Sequence, residues 1–109
     1  MNLRLIYHLE IAVSKVKQEI DLESRNSYPS IYLLESKSNE IIDLLKSDEY
    51  RTAFNFSLIY KREFECFRED LTGSLSHDYE RKNKRYRSKW LLERDKLYQI
   101  IDALINHVK

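Results

Sequence analysis

The scarcity of turn-forming residues is the feature that most constrains the fold of this chain. Only one glycine and one proline occur among its 109 residues. Sheet proteins need many tight turns, and glycine and proline supply the backbone geometry of most of them. The sequence therefore predicts long helices joined by few connections.

Apolar residues recur every three or four positions in the first half of the chain, which is the spacing of one helix face. We call such a face a seam. The first segment, residues 2–23, has its seam at Ile6, Leu9, Val13, Val16 and Ile20. The second ends near Lys46, and its seam consists of Ile31, Leu34, Ile41 and Leu45, with Ser38 as the one polar member. Ser38 is expected to bond back to a carbonyl one turn earlier.

The second half of the chain shows the same periodicity with more aromatic residues. The third segment, residues 48–71, has a seam of Ala53, Phe56, Tyr60, Phe64, Phe67 and Leu71. The last, residues 77–108, has a seam of Tyr79, Tyr86, Trp90, Leu97, Ile101, Leu104 and Val108. Four helices with an aromatic core are predicted.

Capping residues suggest where these helices begin and end. Ser27 or Ser30 can cap the second helix, and Ser47 precedes two acidic residues, a favourable start for the third. Gly73 stands where a left-handed helix terminus is expected, and Ser74 and Ser76 can both cap the last helix.

We expect an all-α fold, a single antiparallel up-and-down bundle of four helices that spans residues 1–109. Short connections favour antiparallel neighbours. Because neither glycine nor proline separates the second and third helices, one continuous helix over residues 29–72 is the alternative. It would be roughly 65 Å long at 1.5 Å per residue. Its neighbours could not cover it in a monomer, so this alternative implies an oligomer.

The composition indicates a folded protein in a reducing compartment. Hydrophobic residues make up 42% of the chain and aromatic residues 12%, whereas disordered chains lack such apolar content. Cys66 is the only cysteine, so no intramolecular disulfide can form, and a cytoplasmic location is predicted. Charged residues interrupt the N-terminal apolar stretch, and we therefore expect neither a signal peptide nor a membrane span there.

The last helix carries the only strongly one-signed charge in a chain of net charge +1. We call this cluster the basic block; it consists of Arg81, Lys82, Lys84, Arg85, Arg87 and Lys89. Cationic side chains along a helix can follow a phosphate backbone. However, ordinary ion pairing with acidic residues near the end of the third helix can account for much of this charge, and we favour that interpretation.

A second apolar line on the last helix lies about 100° from its seam. This side stripe comprises Leu91, Tyr98 and Ile105, and Leu92 lies farther round the helix. A helix that is apolar over so wide an arc is either deeply buried or meets a partner. These four residues are the candidate protein interface.

No pattern in the sequence indicates catalysis, a metal site or a cofactor. The three histidines are far apart in sequence and have no metal-ligand spacing, and one glycine cannot form a glycine-rich phosphate loop. Cys66 lies in mid-helix between aromatic residues, where a buried, unreactive thiol is expected.

The predicted function is stoichiometric protein–protein interaction by a small cytoplasmic protein of the adaptor, regulator or inhibitor type. A protein partner or self-association, including a dimer, is expected, with no membrane and no small-molecule substrate. The alternative is a nucleic-acid-binding protein that uses the basic block.

Overall fold

The computed structural model describes residues 3–25, 30–53, 57–74 and 84–108. These residues form five helices: α1 (Leu3–Ser24), α2 (Ile31–Lys46), α3 (Asp48–Ala53), α4 (Ser57–Ser74) and α5 (Lys84–Val108). No strand occurs within the described ranges. The four longer helices pack into one bundle, which confirms the all-α prediction.

The predicted seams form the core of the bundle. Every predicted seam residue of α1 and α2 is buried, as are Phe64, Phe67 and Leu71 of α4. In α5 the buried seam residues are Tyr86, Trp90, Leu97, Ile101, Leu104 and Val108. Tyr60 is half-buried, whereas Phe56, Tyr79 and the side chain of Ala53 lie outside the described part of the chain.

Two predicted details of α2 are confirmed. The Ser30 hydroxyl accepts a hydrogen bond from the backbone N–H of Tyr32 at 3.2 Å, so Ser30 caps the helix. Ser38 is fully buried, and its hydroxyl donates to the Glu35 carbonyl at 2.9 Å. A polar side chain at the seam is thereby satisfied within its own helix.

The third predicted helix corresponds to α3 and α4, which lie on either side of residues 54–56, outside the described chain. Ser47 separates α2 from α3 with extended backbone (φ −59°, ψ 143°). Its hydroxyl donates to the Leu44 carbonyl, while its own carbonyl accepts from Arg51 N–H at 3.0 Å. Ser47 thus precedes a helix start at Asp48, as predicted, but its hydroxyl bonds backward to α2.

The continuous-helix alternative is excluded, because α2 packs extensively along α4 and a straight helix cannot pack against itself. Arg68 of α4 donates to the Asn39 side chain of α2 at 2.6 Å, which joins the two helices laterally. The oligomer that the alternative implied is therefore not needed to cover the core.

The prediction for Gly73 is also wrong. Gly73 lies inside the last turn of α4, and no described glycine has a positive φ. Ser74 is the final residue of α4. Ser76 and residues 77–83 lie outside the described chain, and the described part of the last helix begins at Lys84.

Helices α1 and α5 run antiparallel with contacts along most of α1. Lys17 and Asp102 form an ion pair at 2.6 Å, whereas near the other end of α5 Arg87 reaches the Ser24 carbonyl at 3.1 Å. Trp90 is fully buried and donates its indole N–H to the Ser30 carbonyl at 3.0 Å. The start of α2 is thereby fastened to α5.

Candidate functional site

The side stripe of α5 is largely used inside the molecule. Leu91, Tyr98 and Ile105 are partly buried and pack against the core. Leu92 is 57% exposed. Of the four residues in the predicted interface, Leu92 alone presents most of its side chain to solvent.

Tyr98 connects α5 to α1. Its hydroxyl donates to the Asp21 carboxylate and lies 3.1 Å from the Lys17 carbonyl oxygen. The Lys17 ammonium and the Arg94 guanidinium lie 5.1 and 5.6 Å from the ring centroid, within cation–π range. Burial, and then the hydrogen bond to Asp21, raise the pKa of Tyr98 well above its ordinary value. The chemistry here is that of a structural link.

The basic block is described only from Lys84 onward, since Arg81 and Lys82 lie outside the described residues, as does the Lys84 side chain. Arg85 and Lys89 are exposed one turn apart. Arg87 is half-buried and donates to the Ser24 carbonyl. That carbonyl belongs to the last turn of α1, where helix carbonyls lack partners within the helix and positive charge is favourable. Arg87 therefore has a structural use.

An exposed apolar line on α1 was missed by the sequence reasoning. Leu3 is 78% exposed, Tyr7 61% and Ile11 49%. They follow one another at intervals of four residues and point away from the α1 seam when placed at about 100° per residue. We call these three residues the α1 ridge. Leu22, 62% exposed, lies on the same side of the helix near its other end.

Charged side chains of both signs border the α1 ridge. Arg4 and Lys15 are exposed and project about 60° and 80° to one side of the ridge's central direction, whereas the half-buried Glu10 projects about 60° to the other side. The spacing of Leu3, Tyr7 and Ile11 was visible in the sequence as a second apolar line opposite the seam. The line was not predicted, because the regular seam on the other side of α1 was sufficient to explain why this segment is helical.

A groove of about 470 Å³ runs between α4 and α5. We call it the α4–α5 groove; its walls include Tyr60, Glu63, Phe67, Glu93, Lys96 and Ile100. The Tyr60 hydroxyl donates to the Ala103 carbonyl at 3.4 Å, and its ring lies 5.6 Å from that of His107. These contacts hold the Tyr60 ring against the C-terminal part of α5. The structure thus has a concave site that no sequence motif predicted.

Glu93 is the most unusual side chain in this groove, because it is only 3% exposed. Its Oε1 accepts from the Lys96 ammonium at 2.9 Å. Its buried Oε2 has no hydrogen-bond donor among the residues that the structure describes. Glu93 lies three residues after Trp90 and four before Leu97, so it occupies a seam position. A glutamate at a seam position is unusual, and this spacing was the sequence signal that could have identified Glu93.

The prediction of a buried Cys66 is wrong. Cys66 is exposed and contributes to the wall of the α4–α5 groove. The α4 seam passes through Phe64 and Phe67, and at about 100° per residue position 66 points away from the mean direction of these two. In the described ranges, no group of three or more histidine, cysteine, aspartate or glutamate side chains could hold a metal ion.

No described helix is both long enough and apolar enough to span a membrane. In comparisons with protein-family models, curated proteins and solved structures, nothing matches this chain. The geometry and chemistry of its own side chains are therefore the basis for a functional proposal.

Proposed function

We propose that this protein acts by stoichiometric binding of another protein, as an adaptor, regulator or inhibitor, through the α1 ridge. The observation that carries the proposal is the exposure of three large apolar side chains on successive turns of α1. Each points away from the seam by which α1 joins the core. Contiguous exposed apolar residues mark interaction surfaces more often than isolated ones do.

The partner should present an apolar face bordered by acidic side chains. Leu3, Tyr7 and Ile11 span roughly 12 Å along α1 at 1.5 Å per residue, which suits docking against one helix face. The positive charges of Arg4 and Lys15 on one side of the ridge favour acidic side chains of the partner there and would raise the association rate. The proposal includes a cytoplasmic location, because a reducing compartment keeps the exposed Cys66 thiol free.

This choice of surface differs from the side stripe expected from the sequence. Leu91, Tyr98 and Ile105 already contact other parts of the bundle, so their apolar area is partly removed from water without a partner. Leu92 remains a candidate contact on α5 because most of its side chain is exposed. Catalysis is not part of the proposal.

Site-specific photocrosslinking tests the proposal, with two tyrosines as a matched pair. Tyr7 on the ridge and Tyr32 on α2 are 61% and 60% exposed. A benzophenone amino acid at position 7 should crosslink one defined protein in extract of the source organism, and the same probe at position 32 should not. The captured protein is then purified, and its affinity and stoichiometry are measured.

With the purified partner, Ile11→Lys should weaken a one-to-one complex by about tenfold or more, because it places a charge in an apolar contact. Tyr32→Lys is the control and should change affinity less than about twofold. Equal crosslinking at the two positions, or affinity insensitive to Ile11→Lys, would contradict the proposal. A covalent dimer at position 7 would identify a second copy of the chain as the partner.

Nucleic-acid binding by the basic block is the competing outcome. If it is the function, affinity for an oligonucleotide should fall steeply with salt and collapse in the variant with Arg85→Glu and Lys89→Glu, because counterion release drives such binding. The same variant should leave binding of the protein partner unchanged within about twofold. Fluorescence anisotropy with single- and double-stranded oligonucleotides separates the two functions.

A further inference from the structure

The α4–α5 groove contains a buried carboxylate whose hydrogen-bonding capacity is only partly used. Ionised carboxylates accept several hydrogen bonds, and burial without them is unfavourable. Lys96 supplies a donor to Oε1, while Oε2 receives none from the described residues. Glu93 thus has unused capacity to accept a hydrogen bond from a second cationic donor.

Lys96 can leave Glu93 without disturbing the core. Its side chain is 50% exposed, and it belongs to the same helix, three residues farther on. A lysine ammonium on a flexible stem is easily rehydrated when it moves into solvent. An incoming cation can therefore replace Lys96 at Oε1 or add a donor at Oε2 after a small rotation of the carboxylate.

The remaining walls define the chemistry of the ligand. Phe67 and Ile100 supply buried and half-buried apolar surface, and Tyr60 supplies an aromatic ring. Glu63 and Asp70 add two more carboxylates to the described lining, against the single ammonium of Lys96. An apolar site with an excess of negative charge selects a cation that carries an apolar body.

We propose that the α4–α5 groove binds a small organic cation, an ammonium group on an aromatic or branched apolar body, with the Glu93 carboxylate as its anchor. The groove volume of about 470 Å³ lies within the range of small-molecule sites. The ligand is bound rather than transformed, so the expectation of no small-molecule substrate is unaffected. This site is on α4 and α5 and does not depend on the α1 ridge.

Calorimetric titration with 2-phenylethylammonium chloride tests the proposal, and neutral 2-phenylethanol of nearly equal shape is the reference ligand. The wild-type protein should bind the ammonium compound at least about tenfold more tightly, since only the cation can pair with Glu93. Equal affinities, or no measurable binding of the cation, would overturn the proposal.

Two groove variants should move the affinity in opposite directions. Glu93→Gln keeps the shape of the side chain and should reduce the preference for the cation to less than about twofold. Lys96→Met removes the internal competitor and should tighten binding of the cation by about threefold or more. Glu23→Gln, the same chemical change at an exposed carboxylate on α1 outside the groove, is the control and should retain the preference.

Circular dichroism first establishes that each variant is folded. If Glu93→Gln does not fold, Lys96→Met still tests the proposal. Unchanged or weaker binding of the cation by this variant would contradict the role of Glu93 as the anchor. A cation preference that survives in folded Glu93→Gln also overturns the proposal. Ile11→Lys should leave titration with the cation unchanged, so failure of the protein-binding proposal and failure of this one are distinguishable.

Discussion

At the scale of single residues, Ser38 and Glu93 present the same physical problem, since each is a polar side chain buried at a seam position. Ser38 resolves it within its own helix by donating to Glu35. That solution is local and could be predicted from sequence spacing alone. The position of Glu93 was equally visible, but the fate of its carboxylate depends on the neighbouring helix α4, which the sequence does not place.

Replacing the Glu93 carboxylate with an apolar side chain should stabilise the bundle and abolish cation binding in the α4–α5 groove. We expect Glu93→Met to raise the free energy of unfolding by about 1–3 kcal/mol, because it exchanges a buried carboxylate, whose Oε2 has no donor among the described residues, for an apolar side chain. The same variant should lose the preference for the ammonium ligand. Urea denaturation measures the first effect. Glu63→Met, at an exposed position, should stay within about 0.5 kcal/mol of the wild type.

Tyr98 should make stability sensitive to alkaline pH. Its folded-state pKa is raised, so above about pH 10 the folded state keeps a proton that the unfolded state has lost. The stability that Tyr98 contributes is therefore complete below about pH 10 and declines as the pH rises further. We expect Tyr98→Phe to lose roughly 1 kcal/mol at pH 7 and to approach the wild type at high pH.

Urea denaturation at pH 7, 9, 10.5 and 11 tests this expectation for Tyr98. Tyr32→Phe, on the exposed surface of α2, is the matched control. A difference between wild type and Tyr98→Phe that stays constant across this pH series would show that the hydroxyl proton does not hold α1 and α5 together.

At the scale of helices, the boundaries were predictable where the apolar spacing or a capping residue marks them. The limits of α1 and α2 agree with prediction to within one or two residues, and Ser30 is the cap. The sequence left open whether α2 continues into the next helix, because no glycine or proline lies near Ser47. Tertiary packing decides it, since α4 lies beside α2 and buries Phe64 and Leu71.

Removal of the α2 cap should weaken the whole bundle. Ser30→Ala deletes the oxygen that accepts from Tyr32 N–H, and we expect it to lower the free energy of unfolding by about 1 kcal/mol. Ser30→Asp should restore that stability, because aspartate also caps helices. Ser36→Ala, at an exposed position inside α2, is the control. Chemical denaturation that shows equal effects at positions 30 and 36 would argue against the cap.

At the scale of the whole molecule, the bundle measures 47 × 23 × 18 Å, and α1 has one apolar face toward the core and another toward solvent. The inner face was predicted correctly because a regular seam determines which residues are buried. The outer face and the α4–α5 groove were not predicted, because exposure and concavity depend on where neighbouring helices lie.

The two faces of α1 should respond differently to truncation. Leu9→Ala should lower the free energy of unfolding by about 2–5 kcal/mol, because Leu9 is completely buried. Ile11→Ala, two residues away and 49% exposed, should lower it by less than about 1 kcal/mol. Thermal and urea denaturation measure both, and comparable losses would mean that Ile11 belongs to the core rather than to the ridge.

The indole of Trp90 gives this protein a built-in optical reporter. Trp90 is the only tryptophan in the chain, is fully buried, and donates to Ser30 at the start of α2. Its fluorescence emission therefore comes from one known environment and should shift to longer wavelength when α5 separates from α2. Glu93 lies three residues farther along the same helix, so quenching or enhancement of this emission offers a label-free signal for events in the neighbouring groove.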